Sequence, residues 1–138
     1  MAFTVLRVPS VAAVAQSATG PLRKAYAVAR DELRRDGCRA AGYRLAATDG
    51  GEYPMCCRRL YGAWRMHIVF TDADTLVIIS LAEHTRRANP NAVLAELFPG
   101  LSATGRRRSD KPSCCDDPAA PPALSDEVRS ELADLFRL

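Results

Sequence analysis

Apolar positions along the chain recur with two periods, and the switches between them mark the elements. Phe3 to Val8, FTVLRV, alternates as a strand does, and Pro9 ends it or confines it to a sheet edge. From Thr19-Gly20-Pro21 the period lengthens. Leu22, Ala25, Tyr26, Ala29 and Leu33 then make one helical stripe, while Arg23, Lys24, Arg30, Arg34 and Arg35 fall mostly elsewhere. Pro21 suits the first turn of that helix and Gly37 its stop. GYRLAA, Gly42 to Ala47, reads as a strand, and TDGGEYP after it as a loop. The strongest β pattern runs from Cys56 to Phe70: Trp64, Met66, Ile68 and Phe70 share one face, and Arg65, His67 and Val69 the other. TDAD is a hairpin turn, and TLVIISLA from Thr75, apolar on both faces, is a central strand. A short helix follows, with Asn89 as cap, Pro90 first, and Val93, Leu94, Leu97 and Phe98 as its apolar side.

Beyond residue 98 the periodicity stops. Residues 99–123 hold five of the nine prolines and predict a linker. Residues 124–138 predict an amphipathic C-terminal helix capped by Ser125, with Val128, Leu132, Leu135 and Phe136 as a stripe that completes a core by docking. The expected architecture is α+β: residues 1–98 form a small antiparallel sheet with one helical layer, followed by linker and terminal helix.

Composition narrows the classes. A chain of 138 residues with 48% hydrophobic content supports one core of ordinary size. Nothing approaches the roughly 18 apolar residues of a membrane helix, and the first residues lack the charge and apolar run of a leader, so a cytoplasmic protein is expected. Five cysteines, an odd number with two adjacent pairs (Cys56-Cys57 and Cys114-Cys115), argue for reduced thiols rather than a disulfide framework. Adjacent cysteines are also too tightly spaced for a tetrahedral zinc site, so no metal is expected, and Cys56 and Cys57 should point to opposite faces of their strand. The net charge of +3 conceals an asymmetry: residues 1–108 carry 16 Lys and Arg against 9 Asp and Glu, and residues 109–138 carry 3 against 7. A basic body of this kind attracts phosphate backbones, although a solvated, solubilising surface has the same composition.

One stretch raises a chemical question. TLVIISLAEHTRR, Thr75 to Arg87, passes from a buried strand into a histidine and two arginines with no turn signal between. If TDAD is a four-residue loop, Phe70 pairs with Thr75, Arg65 faces Ser80, and Tyr61 faces His84. Arg65, His67, Tyr61, His84 and Arg86 then share a face, with Arg65 about 13 Å along the strand from His84. Such a face suits RNA cleavage without a metal. Guanidinium groups stabilise the extra charge on a pentavalent phosphate, and a histidine moves protons near neutrality. Arg65, His84 and Tyr61 are the catalytic candidates; Arg58, Arg59, His67, Arg86 and Arg87 are the RNA-binding ones. A histidine on a strand, His67 above all, also has an ordinary structural use.

RRLYGAWRMHIVF, the acidic turn after it and DTLVIISLAEHTRR together resemble the strands of the RelE/ParE toxin superfamily of bacterial toxin–antitoxin systems, over roughly Cys56 to Leu97. The resemblance implies a small antiparallel sheet packed by two N-terminal helices. It also implies a ribosome-dependent mRNA endonuclease without cofactors, held inactive by a cognate antitoxin, with Arg65 and His84 at the family's basic positions. Ribonuclease members often carry a tyrosine or lysine shortly after that basic motif, where Ala88, Asn89, Pro90 and Asn91 stand here. A non-catalytic protein that inhibits DNA gyrase, or a plain binding module, therefore remains as the alternative.

Overall fold

The computed structural model describes residues 2–98, 100–102, 107–109, 124–127 and 129–130. The chain begins with β1 (Thr4–Arg7), which turns at Pro9 into α1 (Pro9–Ser17) and then α2 (Gly20–Asp36). After a 3-10 turn at Gly37–Ala40 come β2 (Tyr43–Ala46), β3 (Glu52–Arg59), β4 (Trp64–Asp72) and β5 (Thr75–Glu83). α3 (Pro90–Leu97) and a three-residue β6 (Arg107–Ser109) follow. The strands make one sheet in the order β1-β5-β4-β3-β2-β6. The class is α+β, but the sheet is mixed: β1 runs parallel to β5, and every other pairing is antiparallel. No helix among the described residues is long and apolar enough to cross a membrane.

α2 behaves as its pattern predicts. Tyr26, Ala29 and Leu33 are buried, Arg34 and Arg35 complement the last turn, and Gly37 closes the helix at φ 57° with its N–H on the Leu33 carbonyl. A Cβ at Gly37 would overlap the Phe3 ring, so this position needs glycine both for its backbone and for space. α1 was not legible in the pattern. PSVAAVAQS is rich in small residues and buries only Val11, so its stripe is one side chain wide; Pro9, read as a strand terminator, also occupies the first helical turn.

Both faces of the sheet are covered, by different means. Strand alternation puts Arg7, Arg44, Cys56, Arg58, Met66, Ile68, Phe70 and Ile78 on one face, under α1 and α2: Arg7 Nη1 donates to the Tyr26 hydroxyl at 3.4 Å and Arg58 reaches Glu32 of α2 at 2.8 Å. The other face carries Met55, Cys57, His67, Val69 and Val77, all buried. Above it the chain crosses from the end of β5 through α3 to Leu101, which bridges Ala47 beside the opposite edge, with Gly100 set against the Tyr53 ring. Leu94, Phe98 and Leu101 are buried beneath this crossing; each such side chain contributes roughly 1.5–3 kcal/mol.

Three expectations need correcting. The Cys56–Phe70 strand is a hairpin, β3 turning through Leu60–Ala63 into β4, and its first strand begins within the expected loop, at Glu52. The stretch expected as a linker contributes Leu101 and β6 to the β2 edge, so the sheet extends beyond residue 98. Cys38 is disulfide-bonded, contrary to the all-reduced expectation, whereas Cys56 and Cys57 are in no disulfide, buried, and on opposite faces as anticipated. Leu124 is buried with its N–H on the Phe70 carbonyl, and residues 126–127 and 129–130 are helical; the stripe residues Val128, Leu132, Leu135 and Phe136 lie outside the described residues.

Candidate functional site

The hairpin between β4 and β5 decides which side chains meet. Its turn is two residues, Ala73-Asp74, with Asp72 opposite Thr75, and not the four-residue loop that the acidic run suggested. An extra residue at Thr71 then sets Phe70 opposite Leu76 rather than Thr75. A second irregularity lies at Ile79, an extra residue between Ile78 (opposite Ile68) and Ser80 (opposite His67). The short turn and these two irregularities together place Ala82, not Ser80, opposite Arg65. The main chain continues the pairing one step further, since the His84 N–H donates to the Ala63 carbonyl at 2.8 Å. His84 is thus two residues beyond the Arg65 partner, about 7 Å along the strand rather than 13 Å.

Continuous register through β3 and β4 builds two rows across the sheet on the face away from α1 and α2. One row is Tyr43, Cys57, His67 and Ser80, on β2, β3, β4 and β5. The next, nearer the sheet's end, is Arg59, Arg65 and Ala82. The middle of the first row is closed: His67 and Cys57 have 0% and 1% exposure, so His67 is no surface contact for RNA in this structure. The second row is open. Arg59 is exposed and Arg65 half-buried, and past the end of α3's cover the exposed His84 continues it. Arg86 and Arg87, also exposed, form the tip of a tight turn closed by Thr85 N–H to Ala88 O at 2.9 Å, with the Ala88 N–H also on Thr85 Oγ1 at 3.1 Å.

Arg59 and Arg65 are directly opposed, so their guanidinium stems start about 5 Å apart. Like charges in that position are destabilising, and no carboxylate among the described residues lies within ion-pair distance of either. Arg65 Nη1 instead donates to the carbonyls of Gly62 and Trp64, at 3.0 and 3.2 Å, which bends the side chain toward the β3–β4 turn. Two facing arginines without an acid between them form a receptor for an anion, above all one that takes paired hydrogen bonds.

Arg58 does the opposite. Although adjacent to Arg59, it points to the helix face and spans from the Ala40 carbonyl to Glu32 Oε2, both at 2.8 Å, so this candidate belongs to the scaffold. Arg44 is buried completely, with Nη2 set 3.7 Å from Cys38 Sγ. Tyr61 is also displaced from its expected place. It lies in the turn, 53% exposed, and lines a hollow with Trp64 and the α1–α2 junction at Ala18, Thr19 and Pro21, on the face opposite Arg65.

The tyrosine that does approach the arginine row is Tyr43, which the sequence reading passed over. Burial, then its hydrogen bond and charge interaction with Cys57, push its phenol up to about 12, against the opposing pull of Arg65 and Arg59. Tyr43 is therefore an un-ionised O–H group beside two cations throughout the physiological range. Gly42, just before it at φ 89°, lets β2 approach: a Cβ there would overlap the Cys57 carbonyl oxygen. That glycine was the available signal for close approach, though nothing local says to which strand.

Comparison of the chain with protein-family models, with curated proteins and with solved structures finds no match in any of the three.

Proposed function

We propose that this chain is an RNA-cleaving toxin of the kind its strands resemble in the RelE/ParE superfamily, acting on translated mRNA and restrained by a cognate antitoxin. The observation that carries the reading is the pair Arg59 and Arg65, without an ion-paired acid among the described residues, facing each other across β3 and β4 with His84 at the same end of the next strand. In this mechanism the two guanidinium groups hold the scissile phosphate and stabilise the charge that builds on its equatorial oxygens. His84 takes the proton of the attacking 2′-hydroxyl as the new P–O bond forms. The P–O bond to the 5′-oxygen breaks, and that oxygen receives a proton from the imidazolium, leaving a 2′,3′-cyclic phosphate and a free 5′-hydroxyl. Arg86 and Arg87, on their own turn, engage flanking phosphates.

The test is controlled expression in bacteria, with growth followed and transcript ends mapped. Wild type should arrest growth and generate new 5′-hydroxyl ends in translated messages; Arg59→Ala, Arg65→Ala and His84→Ala should each relieve both effects while circular dichroism stays unchanged. Arrest and cleavage that persist in the Arg65→Ala and His84→Ala proteins would overturn the reading. One observation favours the non-catalytic alternative, in which the protein acts by binding another protein such as gyrase: Val93 and Leu97 of α3 stand in solvent at 63% and 52% exposure. Growth arrest with intact transcripts and a DNA-damage response would assign that alternative.

A further inference from the structure

β1 accompanies β5 for only part of its length. Its pairing runs from Thr4 opposite Thr75 to Arg7 opposite Ile78, and after the Val8 N–H reaches the Ile78 carbonyl at 3.2 Å the chain leaves the sheet at Pro9 to become α1. Ile79 to Glu83 then continue with β4 on one side and no strand on the other among the described residues. Because His84 directs its N–H to Ala63 of the β4 side, alternation along the ladder turns the N–H and C=O of Leu81 and Glu83 outward, into the lane that β1 has vacated.

That lane has walls. α1 supplies Ser10, Val11 and Val14 on one side, and α3 supplies Pro90, Val93 and Leu97 on the other, so the open strand edge is the floor of an almost wholly apolar groove of about 320 Å³. The floor of the groove is a backbone edge, with which a strand can pair at the roughly 4.8 Å inter-strand spacing, whereas a helix has already closed its own backbone hydrogen bonds. It has few polar side chains converging on a point, as a small-molecule site would; its polar groups are those of a backbone edge. Val93 and Leu97, one helical turn apart, are two of the five large apolar residues left exposed on the described surface, and both border it. At the Glu83 end the groove opens onto Ala88 and the turn that presents Arg86 and Arg87, with His84 beside them; Glu83 is the sole acid in its lining.

We propose that this groove receives an extended segment of another protein, which pairs with the outer edge of Ile79–Glu83 as an added strand. Alternate apolar side chains of the segment settle between α1 and α3, and acidic residues follow where it passes the Arg86-Arg87 turn. Main-chain hydrogen bonds supply the affinity and the apolar walls select the side chains. The basic collar selects the acidic flank. The inference does not depend on the RNA chemistry above, because neither the groove nor its walls contain Arg59 or Arg65.

The test uses the full chain and a synthetic peptide of six alternating valines and threonines followed by three glutamates. Binding is expected to slow amide hydrogen exchange at Leu81 and Glu83. It should weaken at least tenfold when the peptide backbone is N-methylated on its pairing edge, when the glutamates are replaced by lysines, and in the Val93→Glu/Leu97→Glu protein, whose exposed substitutions leave the circular dichroism spectrum unchanged. Absence of binding would overturn the proposal, as would protection mapped elsewhere, equal binding of the N-methylated peptide, or tighter binding of a helix-forming peptide of the same composition. Protection of Leu81 and Glu83 before any peptide is added, together with a concentration-dependent dimer, would assign the lane to a second copy and overturn it equally.

Discussion

Arg58 and Arg59 are neighbours in the chain and opposites in the structure. Arg58 faces α2, where a carboxylate and a carbonyl satisfy it, and Arg44 beside it in the sheet is sealed from solvent. Arg59 faces away, opposite a second arginine, with no acid among the described residues paired to either. The same side chain serves as mortar on one face and stands exposed to solvent on the other, and the period-two geometry of a strand makes that division in a single residue step. An arginine-rich surface therefore says little about function until each guanidinium is assigned a face and a partner.

Substitutions should separate the two faces, and the largest effects belong to the covered one. Arg44→Ala should cost about 3 kcal/mol or more, since it empties a fully buried site, and Arg44→Met, which keeps the stem, should cost much less; denaturant unfolding measures both. Arg58→Ala should destabilise by about 1–3 kcal/mol, because it leaves Glu32 and the Ala40 carbonyl to find other partners, without altering the salt dependence of RNA binding. A change in that dependence would mean that Arg58 also reaches the open face.

On the open face the expectation reverses. Arg59→Ala or Arg65→Ala should leave stability within about 0.5 kcal/mol of wild type, or raise it, because removing one member relieves the like-charge pairing. Each should also lower the slope of log affinity against log salt for single-stranded RNA by about 0.7, as the loss of one phosphate contact predicts. A loss of stability comparable to that of Arg58→Ala would remove the contrast between the faces.

The smallest effect concerns Tyr43, at the boundary of the two rows. Its phenol is held above its ordinary value of 10.0, at about 12, so the folded state retains a proton that the unfolded chain releases first. The associated stability is fully present below pH 10 and is lost as pH rises from there toward 12. Denaturant midpoints for Tyr43→Phe should accordingly fall less steeply than wild type across the accessible lower part of that window. Parallel curves would show that the phenol is not differentially buried.

Much of the fold could be read locally. The boundaries of α2 followed from Pro21, one apolar stripe and Gly37, and α3 from Asn89 and Pro90, because capping and helical periodicity are written within a few residues of where they act. The turn inside CCRRLYGAWRMHIVF was missed since apolar and basic residues alternate on both sides of it; Gly62, at φ 55°, was the only local mark. The candidate site was legible as residue types, and Arg65, His84, Arg86 and Arg87 do gather at one end of the sheet. Its geometry was not, because a two-residue turn and extra residues at Thr71 and Ile79 shift every partner across the β4–β5 ladder.

By itself, then, the amino-acid order determined α2 and α3, the main strand-forming stretches and the basic character of the body, all properties of short windows. Tertiary structure alone decided that Arg58 is a strut and Arg59 an exposed cation facing Arg65, that Tyr43 and not Tyr61 stands near the arginines, and that β1 abandons β5 halfway along. Each of those outcomes depends on register between segments far apart in the chain, and register is set by what the whole sheet can bury, which no single segment encodes.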